Sequence, residues 1–208
     1  MAETRKRVGI LVFDDVEVLD FCGPFEVFSV TRLDEEKRRE EPSPFEVFLV
    51  AEKEGTIMTT GGMRIVPEHT LESSPPLDIL VVPGGWGTRR EAGNETLLAW
   101  ISTRARGVET LASVCTGSML LGGAGLLDGR RATTHWQSLD RMENSFPNVE
   151  VVREEHVVED GDTMTSAGIS AGIELALRLV AKYHGEKVAR NTARYMEYPY
   201  PEDNARRV

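Results

Sequence analysis

Cysteine is scarce in this chain. Its 208 residues hold two, Cys22 and Cys115. Two cysteines cannot build a disulfide framework, and such usage suits a reducing, cytoplasmic setting. Long apolar runs are missing, which argues against a membrane span. The opening stretch "MAETRKRVGILVF" has basic residues, but its apolar run is too short for a signal peptide and lacks a small-residue cleavage site. Excess positive charge is missing too: the formal net charge is −10, which speaks against unspecific nucleic-acid binding. There is no G-x-G-x-x-G and no P-loop. No set of His, Cys, Asp and Glu has metal-ligand spacing. The expectation is therefore no cofactor, no metal, no membrane and no nucleic acid.

What is present is an alternation of strand-like and helix-like segments. "RVGILVF" (7–13), "FEVFLVAE" (45–52) and "LDILVVPGG" (77–85) read as buried strands. "GTIMTTGGMRIVPE" reads as a hairpin around Gly61 and Gly62. The apolar spacing from "DDVEVLDFCGPFEVFSVTRL" predicts a helix with a break or fresh start near Gly23, because Pro24 follows. "NETLLAWISTRARG" is amphipathic and carries Asn94 as its N-cap. "RRATTHW" reads as a short strand and "QSLDRMENSF" as a helix. "VEVVREEHVVEDGDTMTSAG" reads as a hairpin. "SAGIELALRLVAKYHG" is a long helix with Gly185 as its C-cap, and "EKVARNTARYMEY" continues helically. The tail from about residue 199 reads as loosely held. This alternation predicts one α/β domain over 1–208, with a mostly parallel sheet between helical layers. Ligands in such sheets bind beyond the carboxyl ends of strands.

Two such ends carry chemistry. In "ETLASVCTGSMLLGGAGLLDG" (109–129) a strand stops at Cys115 and a helix follows. A thiol at that corner meets the free N–H groups and dipole of a helix N-terminus, which favour the thiolate. A lone cysteine is more commonly a small buried hydrophobe; the corner and the nearby glycines favour a nucleophile. "VVPGG" supplies the second end, where the N–H groups of Gly85 and Thr116 form an anion or oxyanion hole. The nucleophile needs an acid or base. Asp20, flanked by Leu19 and Phe21, is one candidate, and Glu17 is the competing carboxylate. Asp20 reads equally well as a helix-end aspartate. Of the four histidines, His69 and His184 read as loop or surface residues and His156 as an exposed strand residue. His135 ends a strand and approaches either the site or a subunit interface, although a structural role is the plainer reading.

Four segments, "VGILVFDDVEVLDFCGP", "LDILVVPGG", "VCTGSMLLGGAGLLDGRRATTHW" and "TSAGISAGIELAL", together resemble the DJ-1/PfpI (ThiJ) superfamily, of class I glutamine-amidotransferase-like fold. Within it the likeness is nearest to isonitrile hydratases and to the N-terminal domains of AraC-type regulators. The resemblance implies a flavodoxin-like three-layer sandwich, a nucleophile elbow and a homodimer. It assigns Cys115 as nucleophile, Asp20 as its acid, Thr116 as the residue after the nucleophile and Gly85 as the hole donor. Gly168 and Ile169 match the segment packed against the nucleophile. Thr116 stands where the protease branch carries histidine, which argues against proteolysis. The chain ends at Val208 without the further DNA-binding domain of the regulators. Cys22 stands at a position of small residues and receives no role. The implied function is a hydro-lyase acting on a small electrophile: hydration of an isocyanide to an N-substituted formamide. The alternatives are a glyoxalase-like or deglycase-like enzyme on 2-oxoaldehydes, and a non-catalytic oxidative-stress sensor.

Overall fold

A computed structural model describes residues 5–207. The first four residues of the "MAETRKRVGILVF" stretch and Val208 lie outside the described residues.

The chain runs β1 (Lys6–Leu11), α1 (Val18–Val30), β2 (Phe45–Ala51), β3 (Ile57–Met58), β4 (Arg64–Ile65), β5 (His69–Thr70), β6 (Ile79–Val82), α2 (Thr88–Glu91), α3 (Glu95–Ala105), β7 (Thr110–Val114) and α4 (Gly117–Gly123). It continues with β8 (Arg131–Ala132), a 3₁₀ turn (Trp136–Ser138), α5 (Leu139–Ser145), β9 (Glu150–Val151), β10 (Val157–Asp160), β11 (Thr163–Ser166), α6 (Ala171–His184) and α7 (Glu186–Tyr195).

Seven strands form one sheet in the order β10-β11-β7-β6-β1-β2-β5. Every neighbouring pair is parallel except β10 with β11. The predicted mostly parallel α/β sheet is therefore the observed one. The reason lies in the strands: β6 and β7 are buried at every position and β1 over its last four, which suits a sheet covered on both faces. Helices α1, α6 and α7 pack together as one cover, while α2, α3 and α4 form a second group. The carboxyl ends of β6, β7 and β11 lie side by side in register, with Val82 opposite Ser113 and Val114 opposite Ser166. That adjacency brings three strand-end corners to one place.

The hairpins formed as expected: β3 pairs with β4, and β10 with β11, antiparallel. Asn94 caps α3, its side chain accepting from the Leu97 N–H at 3.2 Å. Gly185 ends α6 at φ +86°.

Four expectations are corrected. Helix α1 runs unbroken through Pro24. A proline there removes only the helical donor to the Asp20 carbonyl, and packing against α6 keeps the helix continuous. "RRATTHW" yields only the two-residue β8, because Thr133 and Thr134 turn their hydrogen bonds to Thr165, Val152 and Cys115. The tail is tied down. Ala205 bridges Glu155, Asn204 bonds the His156 and Val157 backbone, and Arg206 reaches the carbonyls of Arg153 and Thr134. His156 is consequently buried, not exposed. His69 and His184 are half-buried, edge-on to the rings of Phe48 and Phe45 at 4.8 and 5.1 Å between centroids.

Candidate active site

Strand β7 delivers Cys115 into a left-handed turn at φ +57°, a conformation rare outside glycine and one that marks strain at functional sites. Three contacts hold the corner. The Cys115 N–H donates to the Ala167 carbonyl at 3.1 Å. Its carbonyl accepts from the hydroxyls of Thr134 at 3.0 Å and Ser118 at 3.2 Å. The corner after β11 has the same shape: Ile169 sits at φ +56°. Its backbone hydrogen-bonds toward both the Cys115 thiol and the Asp20 carboxyl.

Asp20 comes from the first turn of α1 and is fully buried. Its Oδ2 accepts from the Gly84 N–H at 2.9 Å. Its Oδ1 makes no hydrogen bond, and the Cys115 thiol and Ile169 N–H act on the carboxyl group. Among the described residues it has no ion-pair partner. Burial raises its carboxyl to about 7, helped by the charge of Glu17.

The Cys115 thiol moves opposite to the expectation from its corner. Burial pushes it up first, and the facing Asp20 carboxylate pushes it further. The N–H groups of Thr116 and Ile169 pull it down but do not win. The reason is that two acids sealed together cannot both ionise: the pair carries at most one negative charge. Protonated Asp20 is the condition for a thiolate at Cys115.

The "VVPGG" end closes the site. A side chain on Gly84 would come within 2.5 Å of the Thr116 N and 3.0 Å of Asp20 Oδ2, so only glycine lets these groups meet. Gly85, at φ +130°, likewise admits no side chain. The expectation that its N–H serves an oxyanion is corrected: it donates to Thr116 Oγ1 at 3.1 Å. The Thr116 hydroxyl is fixed further by Thr88 Oγ1 at 3.1 Å. The N–H groups directed at the sulfur are those of Thr116 and Ile169.

Above the thiol opens a cleft of about 250 Å³ lined by Glu17, Gly85, Trp86, Arg89, Cys115, Thr116, His135, Gln137, Ser138 and Ile169. His135 does approach the site, packed so tightly on Gly168 that a side chain there would touch its ring. Its Nδ1 accepts from the Gln137 N–H at 3.3 Å, and burial with the Arg206 charge lowers its pKa. The ring is thus neutral near pH 7, with its remaining proton on Nε2. The structure brings together Cys115, Asp20, Thr116, Gly85, Glu17, His135, Gly168 and Ile169. Gly84, Thr88, Thr134 and Arg89 were not read from the sequence; the paired glycines were the signal for Gly84, and the other three carried none. Cys22, half-buried on α1, does not line the cleft. Among the described residues no group of three or more His, Cys, Asp or Glu is placed to hold a metal ion, and no helix is long and apolar enough to cross a membrane.

Residues 6–182 match the DJ-1/PfpI family. An isonitrile hydratase of Pseudomonas putida is 34% identical over 193 residues, 92% of this chain and 78% of that protein. The HTH-type transcriptional regulator CdhR of Pseudomonas aeruginosa is 38% identical over 135 residues; the match spans 65% of this chain and 40% of the regulator. The crystal structure of a ThiJ/PfpI family protein from Pseudomonas syringae superposes with TM-score 0.82 at 30% identity, covering 96% of this chain and 78% of that one.

Proposed function

The chain belongs to the DJ-1/PfpI family, and from that premise we propose that it hydrates an isocyanide to an N-substituted formamide. The observation that carries the reading is Asp20: a fully buried carboxyl with no cation, beside a strained cysteine. Such an acid takes up and gives away its proton near neutral pH and can deliver it to carbon. The likeness to an isonitrile hydratase over 92% of the chain supports the same reaction.

The steps balance as follows. The Asp20 carboxylate takes the Cys115 thiol proton and passes it to the terminal carbon of R–NC while the freed sulfur bonds to that carbon. The product is a thioimidate, R–N=CH–S–Cys115, beside an Asp20 carboxylate. That carboxylate takes a proton from water as the water oxygen adds to the carbon, then passes the proton to nitrogen. In the last step Asp20 takes the hydroxyl proton, the C–S bond breaks, and R–NH–CHO leaves. Asp20 returns that proton to the sulfur, so thiol and carboxylate are restored. The N–H groups of Thr116 and Ile169 steady the sulfur whenever it carries charge. Gly84 keeps Asp20 in line through its bond to Oδ2, and Thr116 Oγ1 occupies the Gly85 N–H.

We carry over a cytoplasmic homodimer from the family; light scattering at twice the 23.1 kDa chain mass checks the dimer. A second reading draws on His135, neutral and in the cleft, which suits the carbon-proton transfer of a 2-oxoaldehyde reaction. The test is incubation of the purified protein with phenyl isocyanide and, separately, methylglyoxal. The proposal expects N-phenylformamide from the first and no turnover of the second. Lactate from methylglyoxal without formamide from the isocyanide overturns it.

A further inference from the structure

Helix α2 is a single turn, and its first residue, Thr88, is buried without lining the cleft. Its hydroxyl nevertheless meets two groups of the site. It lies 2.7 Å from the Gly85 carbonyl and 3.1 Å from Thr116 Oγ1. The bond to Gly85 alone would be a local turn device; the reach to Thr116 crosses to another element. Thr116 Oγ1 in turn accepts the Gly85 N–H at 3.1 Å and lies 3.4 Å from the Gly85 carbonyl. Each hydroxyl has one hydrogen. In either arrangement of the pair, one hydrogen goes to the Gly85 carbonyl and the other lies between the two oxygens. Neither is left for a substrate or for the sulfur.

The hydroxyl pair fixes the residue that follows the nucleophile. Thr116 stands at the start of α4, and its N–H is one of the two directed at the sulfur. There is no slack around it. A Cβ on Gly84 would come within 2.5 Å of the Thr116 nitrogen, 2.6 Å of its Oγ1 and 3.0 Å of Asp20 Oδ2. A Cβ on Gly117, the next residue, would strike the Val82 carbonyl. At the other end of the Cys115–Thr116 peptide, the Cys115 carbonyl is held by Thr134 and Ser118. The peptide is thus gripped at its carbonyl by two hydroxyls and through the Thr116 side chain by Thr88 and Gly85. Satisfied buried networks of this kind fix a geometry.

We propose that Thr88 is a positioning residue: its hydroxyl holds Thr116 so that the Thr116 N–H meets the Cys115 sulfur. It touches neither substrate nor sulfur itself. Without that hydroxyl, the Thr116 side chain is free to turn and its N–H moves off line. A hydrogen bond to a charged atom is strong when straight and weakens steeply with angle. The thiolate then becomes scarcer at a given pH. The effect on hydration rests on the hydratase reading above; the effect on the thiol does not.

Two assays separate the thiol from the hydration. The first follows alkylation of Cys115 by iodoacetamide across a pH series, read on the Cys115 peptide by mass spectrometry, and needs no isocyanide. Thr88→Val should slow alkylation at pH 7 by about tenfold and move its onset to higher pH, while Thr88→Ser should stay within about twofold of wild type. Thr88→Ala, which puts no methyl against the Gly85 carbonyl, takes the place of Thr88→Val if that variant does not fold. Thr110→Val is the control: it removes another buried hydroxyl, bonded to Tyr183 at 2.8 Å at the far end of β7 from Cys115, and should change nothing. Wild-type alkylation in Thr88→Val, or equal slowing in Thr88→Ser or Thr110→Val, overturns the proposal. The second assay measures kcat/KM for phenyl isocyanide, which should fall about tenfold in Thr88→Val alone. An unchanged kcat/KM beside slowed alkylation overturns the effect on hydration. The expected alkylation pattern with no hydration by the wild type overturns the hydratase reading and supports the positioning of the thiol.

Discussion

Among the described residues two carboxylates are sealed almost completely, Asp20 at 0% and Glu174 at 1% exposure. They are treated in opposite ways. Glu174, on α6, is surrounded by partners: Arg207 at 2.6 Å, His156 at 3.8 Å and the Tyr198 hydroxyl at 3.4 Å. It anchors the C-terminal tail against the body. Asp20, on α1, meets the backbone N–H groups of Gly84 and Ile169 and a thiol, and no cation. A buried acid surrounded by cations serves the fold. A buried acid without them holds its proton and is ready to give it away. The contrast separates a structural carboxylate from a chemical one without reference to any relative.

The sharpest test of the contrast is pH. Asp20 is raised from 3.8 to about 7 in the folded chain. The native state therefore holds a proton that the unfolded chain has lost between those values. Its contribution to stability is full below pH 3.8 and is lost as pH rises through about 7. Urea unfolding of wild type and Asp20→Asn at pH 4 to 8 should show their stability difference swing by roughly 4 kcal/mol against the wild type. A flat difference would mean that Asp20 titrates like a free carboxylate.

Next in size is Gly84→Ala, which forces a methyl against the Thr116 backbone and Asp20. We expect a loss of about 1–3 kcal/mol by chemical denaturation, and a larger loss of turnover. Glu174→Gln should cost about 1–2 kcal/mol by the same assay, since Arg207 keeps one side in water. Its turnover should stay close to wild type, because Glu174 touches nothing in the cleft. The smallest effect is expected from Arg206→Ala, which releases the tail from Thr133, Thr134 and Arg153. About 1 kcal/mol should appear as a slightly lower Tm in calorimetry.

Much of this was legible in the chain. The buried runs and their alternation with amphipathic segments give the parallel sheet, and "SVCTG" and "VVPGG" mark the ends where the site lies. Asp20 was readable only as one of two carboxylates, because its helix phase does not say which side chain turns inward; burial selects it over Glu17. The Ile169 corner has no local signal, since isoleucine disfavours φ +56° and only the surrounding packing imposes it. The choice of N–H at the sulfur escaped for a related reason: the Thr116 hydroxyl, fixed by Thr88, takes up Gly85. The tail and His156 were misread because both depend on contacts tens of residues apart, and polar alternation looks the same whether or not a tail covers it. The expected low thiol pKa failed because the helix-terminus argument leaves out the cost of burying the charge.

The most direct measurement is N-phenylformamide formation from phenyl isocyanide at pH 7 by wild type, Asp20→Asn and Glu174→Gln side by side. The account predicts a kcat lower by about 10²–10⁴-fold in Asp20→Asn and near wild type in Glu174→Gln. An Asp20→Asn protein that turns over like the wild type would contradict it.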